Sequence, residues 1–338
     1  MAHEPALEEV LSRPTAAVVA AMGVLTGDVM LLGAGGKMGP SLARLARRAS
    51  EQAGNPRRVI AVARFSEAGL EAALQADGIE TITCDLFDRE QVAALSDVPN
   101  LVYMAGQKFG TTGEEARTWA VNAVLPGIVA ERFPRARIVA FSTGNVYPLW
   151  PADSEGPTEA DAVGPVGEYA QSALARERVL ECYSRRNGTP MAILRLNYAI
   201  EPRYGVLRDI ADRVRAGEPV SLAMGRVNLI WQRDANAIAL RALAQCASPP
   251  LVLNVTGRHS HLVRALAMEF GRRWGREPVF EGREGDSALL SNAARCEAIF
   301  GAPETGTSEM IDRVAAWVEQ GGRSLGKPTH FETRDGTF

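Results

Sequence analysis

Lysine is almost missing from this chain. Of its 37 basic residues only Lys37, Lys108 and Lys327 are lysines, so nearly all positive charge is carried by arginine. Histidine is equally scarce. His3, His259, His261 and His330 stand in no cluster with carboxylates or cysteines, which argues against a metal site. Cys84, Cys182, Cys246 and Cys296 lie far apart without metal-ligand spacing and read as reduced, buried thiols in a cytoplasmic protein. The apolar run from Ala16 to Leu25 is too short to span a bilayer. Glu4, Glu8 and Glu9 are wrong for a signal peptide. Net charge is only −3, so nothing favours a nucleic-acid or membrane partner. What remains is an ordinary globular composition, 46% apolar, with 338 residues for one large domain or two intimate ones.

The informative stretch runs from Asp28 to Gly39. An apolar strand enters a turn with Gly33, Gly36 and Gly39 at the spacing G-x-x-G-x-x-G, and a helix begins near Pro40. The first glycine permits a tight turn. The second lets the backbone approach a pyrophosphate, and the third lets the helix pack close to the sheet. Helix N-terminal amides then suit phosphate, with Lys37 and Met38 in the turn itself. No Gly-Lys-Ser/Thr follows, so this is not a P-loop.

Further strands are expected at 59–64, 81–84, 101–104, 137–141, 191–195 and 251–255. Alternation with helices predicts an α/β fold, a Rossmann doubly wound parallel sheet with a small, mostly helical C-terminal substrate lobe. Residues 1–27 read as an N-terminal helical extension broken by Pro14. Residues 28–200 read as the dinucleotide-binding domain, also receiving about 226–256. Residues 201–225 and 257–320 form the lobe, and 321–338 a loosely held tail. Arg44, Arg47 and Arg48 read as a solvated helix face, and Asp234 as an N-cap. Ligands bind beyond the carboxyl ends of such strands, where Lys108, Thr143 and Asn145 fall. The second strand ends in Arg64 with no acid nearby, which favours NADP over NAD.

These motifs, in this order, resemble the extended short-chain dehydrogenase/reductase family, the NAD-dependent epimerase/dehydratase group. The resemblance rests on the glycine turn, Asp85-Leu86, Ala105-Gly106, Asn122, Ser142-Thr143-x-x-Val146-Tyr147, Pro157-Thr158-Glu159, Tyr169-x-x-Ser172, and Leu194-Arg195-x-Asn197-Tyr198 with Pro202-Arg203. It implies that Asp85 and Leu86 hold the adenine and that Ala105 and Gly106 line the coenzyme. It sets Asn122 among the coenzyme contacts, makes Thr143 the substrate-orienting hydroxyl, and makes Tyr169 the catalytic acid/base. It implies a sugar-like or polyhydroxylated small-molecule substrate near Asn145, Asn197 and Arg203. It also implies a homodimer built on the helices of Asn122 and Tyr169.

One position departs. The family pattern is Tyr-x-x-x-Lys, and here the last residue is Ala173. A missing positive charge leaves the tyrosine a poorer base by about one to three pKa units. Lys108 is the expected substitute; Arg176 reads as a surface or helix–helix residue. Two readings follow: an NAD(P)-dependent oxidoreductase, epimerase or dehydratase, or a coenzyme-binding sensor or regulatory protein with impaired catalysis.

Overall fold

Seven strands form one parallel sheet in the computed structural model, which describes residues 4–108, 110 and 113–337. His3 lies outside the described residues. Two helices precede the sheet, α1 (Glu4–Leu11) and α2 (Ala16–Val24), separated around Pro14. Then come β1 (Val29–Leu32), α3 (Gly39–Gln52), β2 (Val59–Ala63), β3 (Glu80–Thr83), β4 (Asn100–Tyr103), β5 (Arg137–Thr143), β6 (Met191–Leu196) and β7 (Leu251–Val255). The spatial order is β7-β6-β5-β4-β1-β2-β3. All four residues of β1 and all five of β2 are buried, as a sheet covered on both faces requires. Chain order reverses between β1 and β4, which opens a crevice beyond their carboxyl ends. Among the described residues no helix is long and apolar enough to cross a membrane.

The N-terminal helices tie the two halves together. Val18 and Met22 of α2 join the sheet's core, whereas Leu7 and Leu11 of α1 join the core of the C-terminal lobe with Trp231, Phe270 and Trp317. Arg44 and Arg48, expected to face solvent, instead clamp α1 onto α3. Arg44 pairs with Glu8 and Asp77, and Arg48 with Glu9. Asp234 is not an N-cap. It sits in the first turn of the helix Gln232–Ala242 and accepts the Thr305 amide at 2.8 Å. Cys182 lies exposed on the long helix Gly167–Asn187, against expectation, while Cys84 and Cys296 are buried. The tail is not loose either. Phe331 and Thr329 are buried, Leu325 N donates to Arg203 O at 3.0 Å, and Arg334 donates to Ala223 O and Ser287 O. Aperiodic sequence concealed this, because the tail packs as an extended strap on the lobe.

Beneath the sheet's carboxyl end, Glu177 and Arg195 form a buried pair at 2.7 Å. Ser142 donates to Glu177 at 2.6 Å, and Arg195 donates to the Tyr147 hydroxyl at 2.7 Å. These bonds replace the water both charges lose on burial. Glu177→Gln strips the arginine of its counter-charge. It should cost about 3–5 kcal/mol in urea unfolding, against a few tenths for Glu131→Gln at the exposed Arg89 pair.

Candidate active site

The glycine turn opens onto the crevice. Gly33 has φ +88°, and a Cβ there would lie 2.6 Å from Ala105 N, so two chain segments meet backbone to backbone. Gly39 is as constrained by space, since its Cβ would fall 2.2 Å from Ala34 O. Gly36 is different: a Cβ there meets only Gly33 O at 3.6 Å. It is exposed toward the crevice. No side chain caps α3, whose N-terminus therefore suits an anion. These features fit the diphosphate of a dinucleotide.

A cleft of about 370 Å³ lies above. Gly33, Gly36, Lys37, Met38, Gly106, Lys108, Thr143, Asn145, Tyr169 and Asn197 line it, so ten positions singled out from sequence converge there. Others stand apart. Gly39 is packed under the turn, and Arg64 is exposed at the end of β2. Asp85, after β3, accepts the Phe87 amide beside buried Leu86. Arg203 does not present itself to a substrate, because its guanidinium is engaged by Glu201 at 3.1 Å and Glu8 at 2.8 Å. Arg208 and Arg233 are likewise paired, with Asp212 and Asp234. Tyr204 also lines the cleft, whereas sequence reasoning missed Leu325, Lys327 and Thr329 as cleft residues. Only the packing of the tail brings the last three there.

Thr143 is a hub. Its Oγ1 accepts the Asn145 amide at 3.1 Å and donates to Asn145 Oδ1 at 2.9 Å. It also lies within hydrogen-bond reach of the Tyr169 hydroxyl. Burial pushes the Tyr169 hydroxyl up from the ordinary tyrosine range; the Thr143 hydrogen bond and the charge of Arg176 pull it the other way.

Ala173 is fully buried in an apolar cluster with Val146 and Tyr147. One turn on, Arg176 is buried rather than on the surface. It donates to Phe141 O at 2.8 Å, to Asn122 Oδ1 at 2.5 Å and to Asn122 O at 3.4 Å. A Cβ at Gly106 would touch its Nη2 at 2.7 Å, so the guanidinium lies directly under the cleft floor. Pro126 explains why the Asn122 carbonyl accepts a side-chain donor. Proline has no N–H to give the residue four earlier and crowds its carbonyl. The helix accordingly widens into a π turn over Ala120–Val124. Asn122 in turn holds the Gln107 peptide at both ends, accepting its N–H at 3.0 Å and donating to its O at 2.9 Å, and donates to Ser172. It therefore shapes the loop after β4 from behind.

Lys37 in the glycine turn and Lys108 after β4 are held below the ordinary lysine range by burial, Lys37 at about 7 and Lys108 at about 8. Glu201 and Asp209 oppose that shift at Lys37, and Lys108 adds to it. Lys37 Nζ donates to Ala199 O at 3.1 Å and lies 3.4 Å over the Tyr204 ring.

Residues 29–255 match the model of the NAD dependent epimerase/dehydratase family. The chain belongs to that family. No curated protein matches its sequence. Among solved structures it is similar to a dTDP-glucose 4,6-dehydratase from Streptomyces venezuelae with NAD bound, at 18% identity and TM-score 0.74, covering 87% of this chain and 97% of that one. A UDP-glucuronic acid 4-epimerase from Bacillus cereus aligns at 14% identity and TM-score 0.72 over 87% and 99% of the two chains. The UDP-glucose 4-epimerase of Thermotoga maritima aligns at 16% and 0.71 with the same coverage. At these identities the likeness establishes the fold.

The glycines make separable predictions. Gly39→Ala forces a Cβ into the Ala34 carbonyl and should destabilise by about 1–3 kcal/mol or more. Gly36→Ala meets only ordinary contacts and should unfold within about 0.5 kcal/mol of the parent. Thermal unfolding of the two variants checks both.

Proposed function

We propose that the protein is an NAD(P)-dependent enzyme acting on a sugar-like or polyhydroxylated substrate, as an oxidoreductase, epimerase or dehydratase that begins with oxidation of a carbinol. The observation that carries this reading is the meeting of Thr143 and Tyr169 in the cleft above the glycine turn. A nicotinamide coenzyme, when bound, supplies the hydride acceptor. Tyr169 takes the hydroxyl proton of the substrate carbinol as its C–H bond breaks. Thr143, oriented by Asn145, donates a hydrogen bond to the same oxygen. The amides of the glycine turn and α3 would seat the diphosphate, with Gly106 and the loop held by Asn122 lining the ribose side. Asp85 and Leu86 would bound the adenine, and Arg64 at the end of β2 suits a 2′-phosphate, so NADP is the favoured coenzyme.

The charge that Ala173 cannot supply is assigned to Arg176. Its guanidinium bears on the Tyr169 hydroxyl, whereas the charge of Lys108 bears on Lys37 and is answered by Asp209. The role first expected of Lys108 therefore passes to an arginine three residues beyond the family position, and Lys108 is left to face ligand. Arg176 acts through Tyr169 and is a positioning residue.

Coenzyme reduction against a panel of sugars and sugar acids tests the activity. Tyr169→Phe should lower kcat by about 10²–10⁴. Arg176→Met should move the acidic limb of the kcat/KM profile for carbinol oxidation upward by about one pKa unit or more, because Tyr169 must be deprotonated to take the proton and removing a neighbouring positive charge raises the phenol pKa. Ala173→Lys in that background should bring the limb back. Coenzyme binding without turnover across the panel would instead support the sensor reading, which the missing lysine favours.

A further inference from the structure

The strap that closes the cleft runs on past it. Leu325, Lys327 and Thr329 line the cleft, and the chain then crosses the lobe to the first turn of the helix Gly167–Asn187, which carries Tyr169. Two glycines meet at that point. Gly167 has φ +82° and Gly336 has φ +77°, in a region that other residues rarely adopt. A Cβ on Gly167 would lie 2.4 Å from Gly336 O. One on Gly336 would lie 2.2 Å from Val166 O and 2.8 Å from Gly167 Cα. Backbone therefore presses on backbone. Such a contact fixes a distance, because neither partner can yield by changing a rotamer.

Both sides of the contact are built to hold it. The helix that begins at Gly167 has no side-chain cap. Its first turns are tied to the neighbouring helix, where Trp119 Nε1 donates to Glu168 and Asn122 donates to Ser172. Toward the lobe, Gly336 is what the backbone of Gly167 meets. The tip of the strap is fastened to the lobe by Arg334, which donates to Ala223 O at 3.0 Å, to Ser287 O at 2.7 Å and to Ser287 Oγ at 2.7 Å. Ser287 is itself paired to Pro151, in the loop after Tyr147. Arg334, Gly336, Val166 and Asn145 border one small cavity of about 30 Å³. Asn145 is the residue that orients Thr143. The strap tip thus stands behind both the start of the Tyr169 helix and the partner of Thr143.

Resting on the reading above, we propose that Gly336, backed by Arg334, is a positioning residue that seats the start of the Tyr169 helix so that the tyrosine hydroxyl meets Thr143 at the substrate carbinol. The strap is then a working part of the site at both ends. One end lines the cleft, and the other sets the acid/base. The amides assigned to the coenzyme diphosphate belong to other segments, so coenzyme affinity should not depend on this contact.

Two variants test it. Gly336→Ala drives a Cβ into the Val166 carbonyl, and Arg334→Met frees the tip without adding bulk at the helix. Each should lower kcat by about tenfold to a hundredfold, the cost of a small misplacement of a reacting group. Coenzyme Kd should stay within about twofold of the parent. The double variant should be no worse than the worse single one, since both remove the same contact. Amide hydrogen exchange reads the contact apart from turnover. Residues 167–172 should exchange faster in both variants, with the lobe helix Val263–Trp274 unchanged. Should Gly336→Ala fail to fold, Arg334→Met carries the test. Parental kcat, losses that add in the double variant, coenzyme affinity falling in proportion to kcat, or unchanged exchange at 167–172 overturns the proposal. If the parent turns nothing over across the sugar panel, the proposed function fails, and exchange alone decides whether Gly336 holds the helix start.

Discussion

The guanidinium of Arg176 is the contact around which the crevice is arranged. A buried charge is tolerable only when every donor is answered. Here the sheet answers through the Phe141 carbonyl, and the neighbouring helix answers through both the carbonyl and side chain of Asn122. The helix carbonyl accepts in this way because Pro126 cannot use it. Asn122, fixed by this bond, fixes the Gln107 peptide and Ser172. One cation thereby sets the distance between the loop after β4, the end of β5 and the helix of Tyr169. The proposed role in lowering the Tyr169 pKa adds an electrostatic function to a structural one, from the same atoms.

The cleft also depends on how the lobe is held over the sheet. The α1 helix contributes Leu7 and Leu11 to the lobe core and, through Glu8, joins Arg44 on the sheet side to Arg203 on the lobe side. Lys37 adds a second tie from the glycine turn to Ala199. The tail closes the outer wall, with Thr329 bound to Asp209.

Much of the fold was legible in the sequence. Strands buried on both faces are continuous apolar runs, and β7 was placed at its observed residues, Leu251–Val255. The glycine turn was legible because it has a local cause, close backbone approach, whereas Thr143 and Tyr169 were singled out through the family resemblance of their motifs. What escaped notice depends on long-range packing. Arg176 has the chemistry of a surface residue, and only the π turn at Pro126 and the gap beside Gly106 make a buried place for it. Arg44 and Arg48 look solvated until α1 folds back over them. The tail has no periodicity because it is an extended strap, so Lys327 could not be assigned to the cleft. Arg203 falls where the family's substrate lobe begins, yet Glu8, distant in sequence, claims it.

The central claim is that a nicotinamide dinucleotide lies across the glycine turn at the β1–β4 crevice. Calorimetric titration of the purified protein with NADP and with NAD tests it most directly. The account predicts saturable binding of at least one coenzyme, one molecule per chain, with NADP the tighter. No saturable heat with either coenzyme would contradict it.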